Sequence, residues 1–135
     1  IWESEFLKEL NVKNELKDAG LKLITAKNKN RIATSEIGIT EVNFAIADTG
    51  TLVLLTNKNQ PRSVSLLPPI HLAVVQPENL VRNIRDFFVI LKSKLEQGQD
   101  ITSCMTFITG PSRTADIELN LTLGVHGPKE LYVVI

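Results

Sequence analysis

The spacing of apolar positions along the chain predicts a mixture of helices and strands. Apolar residues recur at helical spacing among charges over residues 2–19, which predicts a first helix that ends at Gly20 and is irregular near Asn11. The clearest helical pattern runs from Pro77 to Leu95, where apolar residues share one face that favours burial in a core. This helix is predicted to end at Gln97-Gly98.

Shorter apolar runs predict strands. Four consecutive apolar residues, Leu52 to Leu55, are typical of a parallel strand buried on both faces, and a short helix from Thr40, a good N-cap, to Asp48 is predicted to precede it. Regular pairing is expected to resume after Pro68-Pro69. The other predicted elements are strands over 21–25, 70–75, 104–109, 117–123 and 131–135, with a helical turn over 112–116. The order of elements predicts an α/β domain with an open twisted mixed sheet flanked by helices.

Composition narrows the class of protein. The chain of 135 residues has the length of one domain, and no apolar run approaches the roughly 20 residues of a membrane span. Lys plus Arg and Asp plus Glu both number 15, so no net charge favours binding to nucleic acid. Cys104 is the single cysteine, which forbids an internal disulfide and cannot hold an iron–sulfur cluster that needs several thiolates. We therefore expect a cytoplasmic protein that binds no metal itself.

One polar loop has the residue types of an anion site. Thr109-Gly110-Pro111 ends a predicted strand, and hydroxyl-bearing and charged residues follow directly: Ser112, Arg113, Thr114 and Asp116. Backbone N–H groups, hydroxyls and a guanidinium that converge in such a loop can bind a carboxylate or phosphate. The same residue types also cap helices and close turns without a ligand, and both interpretations stay open.

Two other places offer candidate ligand contacts. Thr49, Gly50 and Thr51 form either a local turn or a ligand-contacting loop at the entrance to the predicted strand. Arg62 precedes two serines on a loop that leads to the same sheet, although a solvated arginine is the common outcome.

The two histidines are assigned different roles. His126 lies in a predicted turn and either contacts a ligand or holds the turn by hydrogen bonding. His71 is interpreted as a hydrogen-bonded structural residue at the start of a strand.

The basic run that contains Lys27, Lys29 and Arg31 is interpreted as a solvated loop, with phosphate binding as the alternative.

Four ordered segments resemble one known family. They are GITEVNFAIADTGTLVL from Gly38, SLLPPIHLAVV from Ser65, TGPSRTADIE from Thr109 and GVHGPKEL from Gly124, and together they resemble the LUD domain family of the lactate utilisation protein C type. Asp48 departs from the glutamate that is more common in the family. Because the chain begins at Ile1 without a methionine, we expect residues 1–135 to be a single LUD-type domain that lacks an N-terminal segment.

The resemblance implies a fold and a function. The fold would be similar to the NagB/RpiA/CoA-transferase-like fold, in which ligands tend to bind beyond the carboxyl ends of strands. The chain would be an accessory or substrate-binding component of an iron–sulfur-dependent system that oxidises L-lactate to pyruvate. The iron–sulfur clusters would lie on partner subunits, the iron–sulfur lactate utilisation proteins. We also expect the loops near positions 49 and 113 to meet at one mouth of the sheet.

Two other functions stay open. One is an independent CoA-transferase-like or sugar-phosphate isomerase-like enzyme, with Asp48 or Asp116 as base or nucleophile, which fold analogy alone supports weakly. The other is a purely structural module whose loops stabilise their own turns.

Overall fold

A computed structural model describes residues 1–26, 29–98, 104–115 and 121–135. Its helices are α1 (Glu5–Glu9), α2 (Val12–Asp18), α3 (Lys29–Ile32), α4 (Ser63–Leu66) and α5 (Ile84–Glu96). Its strands are β1 (Ile37–Val42), β2 (Phe44–Ile46), β3 (Thr51–Thr56), β4 (Ile70–Val75), β5 (Leu80–Val81), β6 (Cys104–Ile108), β7 (Arg113–Ala115), β8 (Leu121–Leu123) and β9 (Glu130–Val134). The predicted α/β class, with mixed β-structure flanked by helices, is confirmed.

Hydrogen bonding divides the strands into two main sheets and a hairpin. The first sheet has the order β1-β4-β9, with both pairs parallel. The second has the order β5-β2-β3-β6, in which β3 is antiparallel to both neighbours. The prediction that 52–55 forms a strand is therefore confirmed, but its predicted parallel pairing is wrong. Strands β7 and β8 form the separate antiparallel hairpin.

Two apolar clusters hold these layers together. Side chains alternate along β2 and β3, so Phe44, Ile46 and Val53 pack with Phe87 and Leu91 of α5. The opposite faces of β2 and β3 belong to a larger cluster that includes the first sheet and the N-terminal segment; its buried members include Trp2, Leu7, Val42, Ala45, Leu52, Leu54, Val64, Ala73 and Val75. Since full burial of one large apolar side chain contributes about 1.5–3 kcal/mol, these clusters dominate the stability of the fold.

The predicted helix from Thr40 to Asp48 is wrong, because this segment forms β1 and β2. The Thr40 hydroxyl does not cap a helix: it is buried and lies 2.8 Å from His71 Nε2 on the neighbouring strand β4. Residues 44–46 bury side chains on both faces of the second sheet, which suits a strand between two layers.

The long helix begins later than predicted. Pro77–Asn79 is a 3₁₀ turn, and Leu80–Val81 pairs with β2, so α5 starts after the N-cap Asn83. The predicted end at Gln97-Gly98 is confirmed. Of the two aromatic residues on this helix, Phe87 is fully buried as expected, whereas Phe88 is 50% exposed.

Two further predictions, the strand over 21–25 and the helical turn over 112–116, are corrected. Residues 21–25 have no strand pairing, and 113–115 forms β7 instead of a helical turn because it pairs with β8. Asp116 and residues 117–120 lie outside the described residues, as do Lys27 and Asn28 of the basic run. The interruption near Asn11 is confirmed, since this residue has φ 53° between α1 and α2.

The strands predicted at 70–75, 104–109 and 131–135 are also confirmed within a residue at each end. Among the described helices, none combines the length and the apolar character that crossing a bilayer requires.

Candidate functional site

A chain of threonine hydroxyls joins the bend near Thr49 to Thr109, the residue that precedes the predicted anion loop. The antiparallel register places Leu52 opposite Ile108, so Thr51, the first residue of β3, faces Thr109, the residue after β6. Thr51 Oγ1 lies 3.0 Å from Thr109 Oγ1 and 2.7 Å from Thr49 Oγ1. Gly50 lies between the two threonines of the first bend, with φ 63°.

Next to this chain is a cleft of about 230 Å³. Its polar lining residues are Arg62, Ser65, His71, Thr106, Thr109, Ser112 and His126. Leu66, Ile108 and Leu131 are apolar residues of the lining, which also includes Gly110, Pro111, Gly127 and Pro128. Phe107 borders the cleft too, but its ring packs against Phe87 of α5. The cleft therefore combines hydroxyls, imidazoles and a guanidinium with an apolar wall.

The cleft lies at opposite ends of the strands in its two sheets. Thr109 and Gly110 follow the carboxyl end of β6, as predicted, and Gly110 has φ 136°, a conformation that favours glycine. His71 and Leu131, by contrast, are each the second residue of a parallel strand. Thr109 and Gly110 therefore lie at the carboxyl end of a strand, as predicted, whereas the parallel strands border the cleft near their amino ends.

Helix α4 carries one side of the cleft. Arg62 is its N-cap residue, and the Ser65 hydroxyl donates to the Arg62 carbonyl oxygen at 3.0 Å. The helix packs so closely on β1 that a Cβ atom at Gly38 would lie 1.9 Å from the Val64 carbonyl oxygen. Glycine at this position therefore fixes how near Arg62 and Ser65 come to the sheet.

The opposite side is built by two loops in direct contact. Ser112 N–H donates to the Pro128 carbonyl oxygen at 2.8 Å, and Gly124 N–H donates to the Ser112 carbonyl oxygen at 2.9 Å. Lys129 N–H donates to the Pro69 carbonyl oxygen at 2.8 Å, which holds the second loop against the start of β4. These bonds bring Ser112 and the turn of His126 to the same cleft.

His71 lies at the floor of the cleft and is 1% exposed. Its Nε2 atom and Thr40 Oγ1 form a hydrogen bond of 2.8 Å, which confirms the predicted structural role. Burial lowers the pKa of His71 to about 4, so the imidazole is neutral at pH 7. It offers a neutral polar wall and adds no charge to that of Arg62.

The predicted site residues fall into three groups. Five line the cleft: Arg62, Thr109, Gly110, Ser112 and His126. Thr49, Gly50 and Thr51 are outside the lining, although Thr51 Oγ1 contacts Oγ1 of the lining residue Thr109. Arg113 and Thr114 belong to β7 and are outside the cleft lining, and Asp116 lies outside the described residues.

Sequence reasoning missed two lining residues, Ser65 and Thr106. Thr106 Oγ1 is buried and has no hydrogen-bond partner among the described residues. Its position in the alternating strand β6 could have indicated an inward-facing hydroxyl, but its apposition to the start of β4 depends on how the two sheets pack. In the sequence, Ser65 is one of two serines that follow Arg62, and nothing else distinguishes it.

The cleft lining contains one permanent cation, Arg62, and no Asp or Glu among the described residues. Asp48, a candidate base in the enzyme alternative, is exposed and is not part of the lining. Within the described parts of the chain, no group of three or more His, Cys, Asp and Glu is arranged to hold a metal ion. The arrangement is suited to binding a small anion through hydrogen bonds and a guanidinium.

Comparison with known proteins identifies the family. The LUD domain matches residues 5–135. The Lactate utilization protein C of Bacillus licheniformis is 41% identical over 110 residues, which cover 81% of this chain and 46% of that protein. The same-named protein of Halalkalibacterium halodurans is 42% identical over 102 residues, 75% of this chain and 44% of that protein. The chain thus spans about half the length of these curated relatives.

A solved structure supports the fold. The crystal structure of a DUF162 family protein from Deinococcus radiodurans aligns with a TM-score of 0.53 and 24% identity, covering 78% of this chain and 56% of that chain. The domain match over residues 5–135, together with relatives at 41% and 42% identity, shows that the chain belongs to the LUD domain family.

Proposed function

We propose that the chain is an accessory or substrate-binding component of an iron–sulfur-dependent system that oxidises L-lactate to pyruvate, and that its cleft receives the carboxylate. The relatives named Lactate utilization protein C support the system. The observation that carries the ligand class is the cleft lining, where Arg62 and several hydroxyls occur without an Asp or Glu among the described residues. An arginine suits a carboxylate because two parallel N–H groups match its two oxygens.

The size of the cleft favours a small ligand. Its volume of about 230 Å³ is below the roughly 300–1,000 Å³ of pockets that hold drug-sized molecules. Leu66, Ile108 and Leu131 are apolar residues of the lining that a methyl group can contact. A carboxylate near Arg62 with a methyl group against these residues is the arrangement expected for lactate or pyruvate.

The redox centres of the proposed system lie on partner proteins. An iron–sulfur cluster is held by several thiolates, and this sequence supplies one, Cys104. We therefore assign to this chain the binding of the carboxylate and of the iron–sulfur lactate utilisation proteins, and to those partners the electron transfer. The proposal includes a cytoplasmic location, which suits a sequence with one cysteine.

Titration of the protein with L-lactate and pyruvate at constant ionic strength tests the binding role. Arg62→Ala is expected to weaken binding about 10-fold or more, since a hydrogen bond to a charged group contributes about 1.5–3 kcal/mol. Arg113→Ala is the matched control, because Arg113 is exposed and lies outside the cleft lining. Equal losses in both variants, or no binding to the wild-type protein, would refute this role.

A second experiment tests the partnership. The tagged protein is mixed with the iron–sulfur lactate utilisation proteins of the same organism and recovered by affinity purification. Recovery of those proteins in a fixed ratio is expected. Recovery of the tagged chain alone would contradict its place in the system while leaving carboxylate binding to be judged by the titration.

A further inference from the structure

The two ring nitrogens of His71 have different surroundings. Nε2 lies 2.8 Å from Thr40 Oγ1, whereas Nδ1 makes no hydrogen bond within the described parts of the chain. Among the described side-chain nitrogen and oxygen atoms that are closed off from solvent, Thr106 Oγ1 alone lacks a hydrogen-bond partner. Nδ1 also lacks one and is therefore not closed off, so the 1% of His71 that remains exposed includes this atom. The space that borders His71 is the cleft.

The direction of the His71 side chain agrees with this placement. His71, Ala73 and Val75 alternate along β4 on one face, and the last two are buried in the larger apolar cluster that joins the two sheets. Ile108 packs against the same cluster and lines the cleft. Thr40 is fully buried and is outside the lining. The imidazole therefore directs Nε2 into the protein and Nδ1 into the cleft.

Thr40 determines which ring nitrogen carries the proton. Burial lowers the pKa of His71 to about 4, so at pH 7 the neutral ring has a single N–H group. Thr40 is 0% exposed, and among the described residues the one acceptor for its hydroxyl hydrogen is His71 Nε2. If Nε2 carried the proton, Thr40 Oγ1 would accept it, and the hydroxyl hydrogen would be buried without an acceptor, which is unfavourable. Thr40 therefore donates to Nε2, and the imidazole proton lies on Nδ1.

This N–H group lies deeper in the cleft than the guanidinium. Arg62 is exposed, whereas His71 is at the floor. A small acid whose carboxylate contacts Arg62 directs the substituents of carbon 2 toward the floor. In lactate and pyruvate these are a methyl group, which suits Ile108 and Leu131, and an oxygen atom, which accepts a hydrogen bond. Nδ1–H is a donor for that oxygen.

We propose that His71 is a specificity-determining residue that donates Nδ1–H to the oxygen at carbon 2 of the bound acid, and that Thr40 is a positioning residue that keeps the proton on Nδ1. This inference rests on the proposed function, because it concerns the same cleft, and it names the ligand class as 2-hydroxy and 2-oxo acids. His71 keeps its bond to Thr40 and contacts the ligand with its other nitrogen.

L-Lactate and propionate test the inference, because propionate has the same carbon chain and carboxylate but no oxygen at carbon 2. Wild-type protein is expected to bind L-lactate about fivefold more tightly than propionate, the effect of one hydrogen bond between neutral groups. His71→Phe is expected to abolish this preference. Arg62→Ala is the matched control: it is expected to weaken binding of both acids and to leave their ratio unchanged, because Arg62 contacts the carboxylate that they share.

The role of Thr40 is tested by two variants and by NMR. Thr40→Val removes the donor to Nε2, so the proton is no longer confined to Nδ1, and the preference for L-lactate is expected to fall about twofold. Thr40→Ser keeps the hydroxyl and is expected to keep the preference. The ¹⁵N signals of the His71 imidazole in wild-type protein report the tautomer directly. Protonated Nδ1 with unprotonated Nε2 is expected at pH 7, and the reverse would overturn the inference.

The outcomes separate this role from a structural one. If wild-type protein binds L-lactate and propionate equally, or if folded His71→Phe keeps the preference for L-lactate, the inference is overturned and the proposed function stands. If His71→Phe does not fold, the wild-type preference and the tautomer decide. If wild-type protein binds neither L-lactate nor pyruvate, both the inference and the proposed function fall.

Discussion

Gly38→Ala is expected to destabilise the protein by about 3 kcal/mol, the upper part of the range for an added group in a packed core. The new Cβ atom would lie 1.9 Å from the Val64 carbonyl oxygen, 3.0 Å from its carbonyl carbon and 3.1 Å from Pro68 Cγ. The nearest of these atoms belongs to the backbone of α4, so no side-chain rotation can remove the clash. The helix must move away from β1 by about 1 Å, and the contacts of buried Val64 weaken.

Thermal and denaturant unfolding measure this effect. At about 4 °C per kcal/mol for a domain of this size, Tm is expected to fall by about 12 °C. Because Arg62 and Ser65 lie at the start of α4 and within it, the displacement is expected to weaken the lactate binding proposed for the cleft. Unfolding of Gly38→Ala at the wild-type temperature would refute the expected clash with α4.

Gly20→Ala provides a control of the same chemistry without a clash. Gly20 has φ +79° and nothing within 4 Å of an added Cβ atom. Backbone strain alone is expected to cost about 1–2 kcal/mol at this position. A loss as large as that of Gly38→Ala would show that the contact with Val64 is not the cause.

Two further predictions concern the core histidine and the long helix. His71→Gln is expected to make the free energy of unfolding less sensitive to acid. Burial lowers the pKa of His71 in the folded protein from 6.5 to about 4, so the unfolded chain binds a proton at this imidazole first as the pH falls. The stability of the wild-type protein therefore decreases by up to about 3 kcal/mol between pH 6.5 and 4. Denaturant unfolding across that interval measures the difference, and parallel profiles of variant and wild type would contradict it. Asn83→Ala is expected to cost about 1 kcal/mol, because the Asn83 side chain accepts from Arg85 and Asp86 N–H at 2.9 Å and 3.0 Å. Thermal unfolding checks this against Asn83→Asp, which should keep most of the stability.

The strands that sequence predicted correctly are those with clear boundaries. Thr49-Gly50 precedes β3 and Pro68-Pro69 precedes β4, so turn chemistry marked where pairing begins. Residues 40–48 lack such a boundary, and a short apolar run is compatible with a helix or a buried strand. The parallel pairing of β1 with β4, which shows that the segment begins as a strand, joins residues far apart in sequence.

Part of the candidate site could be anticipated in the same way. Thr109, Gly110 and Ser112 follow a strand that was recognisable, so their place at its end could be predicted. The sequence could not show that Arg62 lines the cleft and Arg113 does not. Arg113 belongs to β7, whose position depends on pairing with β8 and not on local turn chemistry. The place of Thr106 in the cleft could not be predicted without knowing how the two sheets pack.

The parallel pairing of β9 with β4 sets an order of events during protein synthesis. One wall of the cleft, with His71, leaves the ribosome well before the segment that carries His126 and Leu131. Until β9 is made, the nascent chain exposes the edge of β4, which is a vulnerable intermediate for a non-local sheet. The cleft can therefore be completed only after residue 131 has been translated.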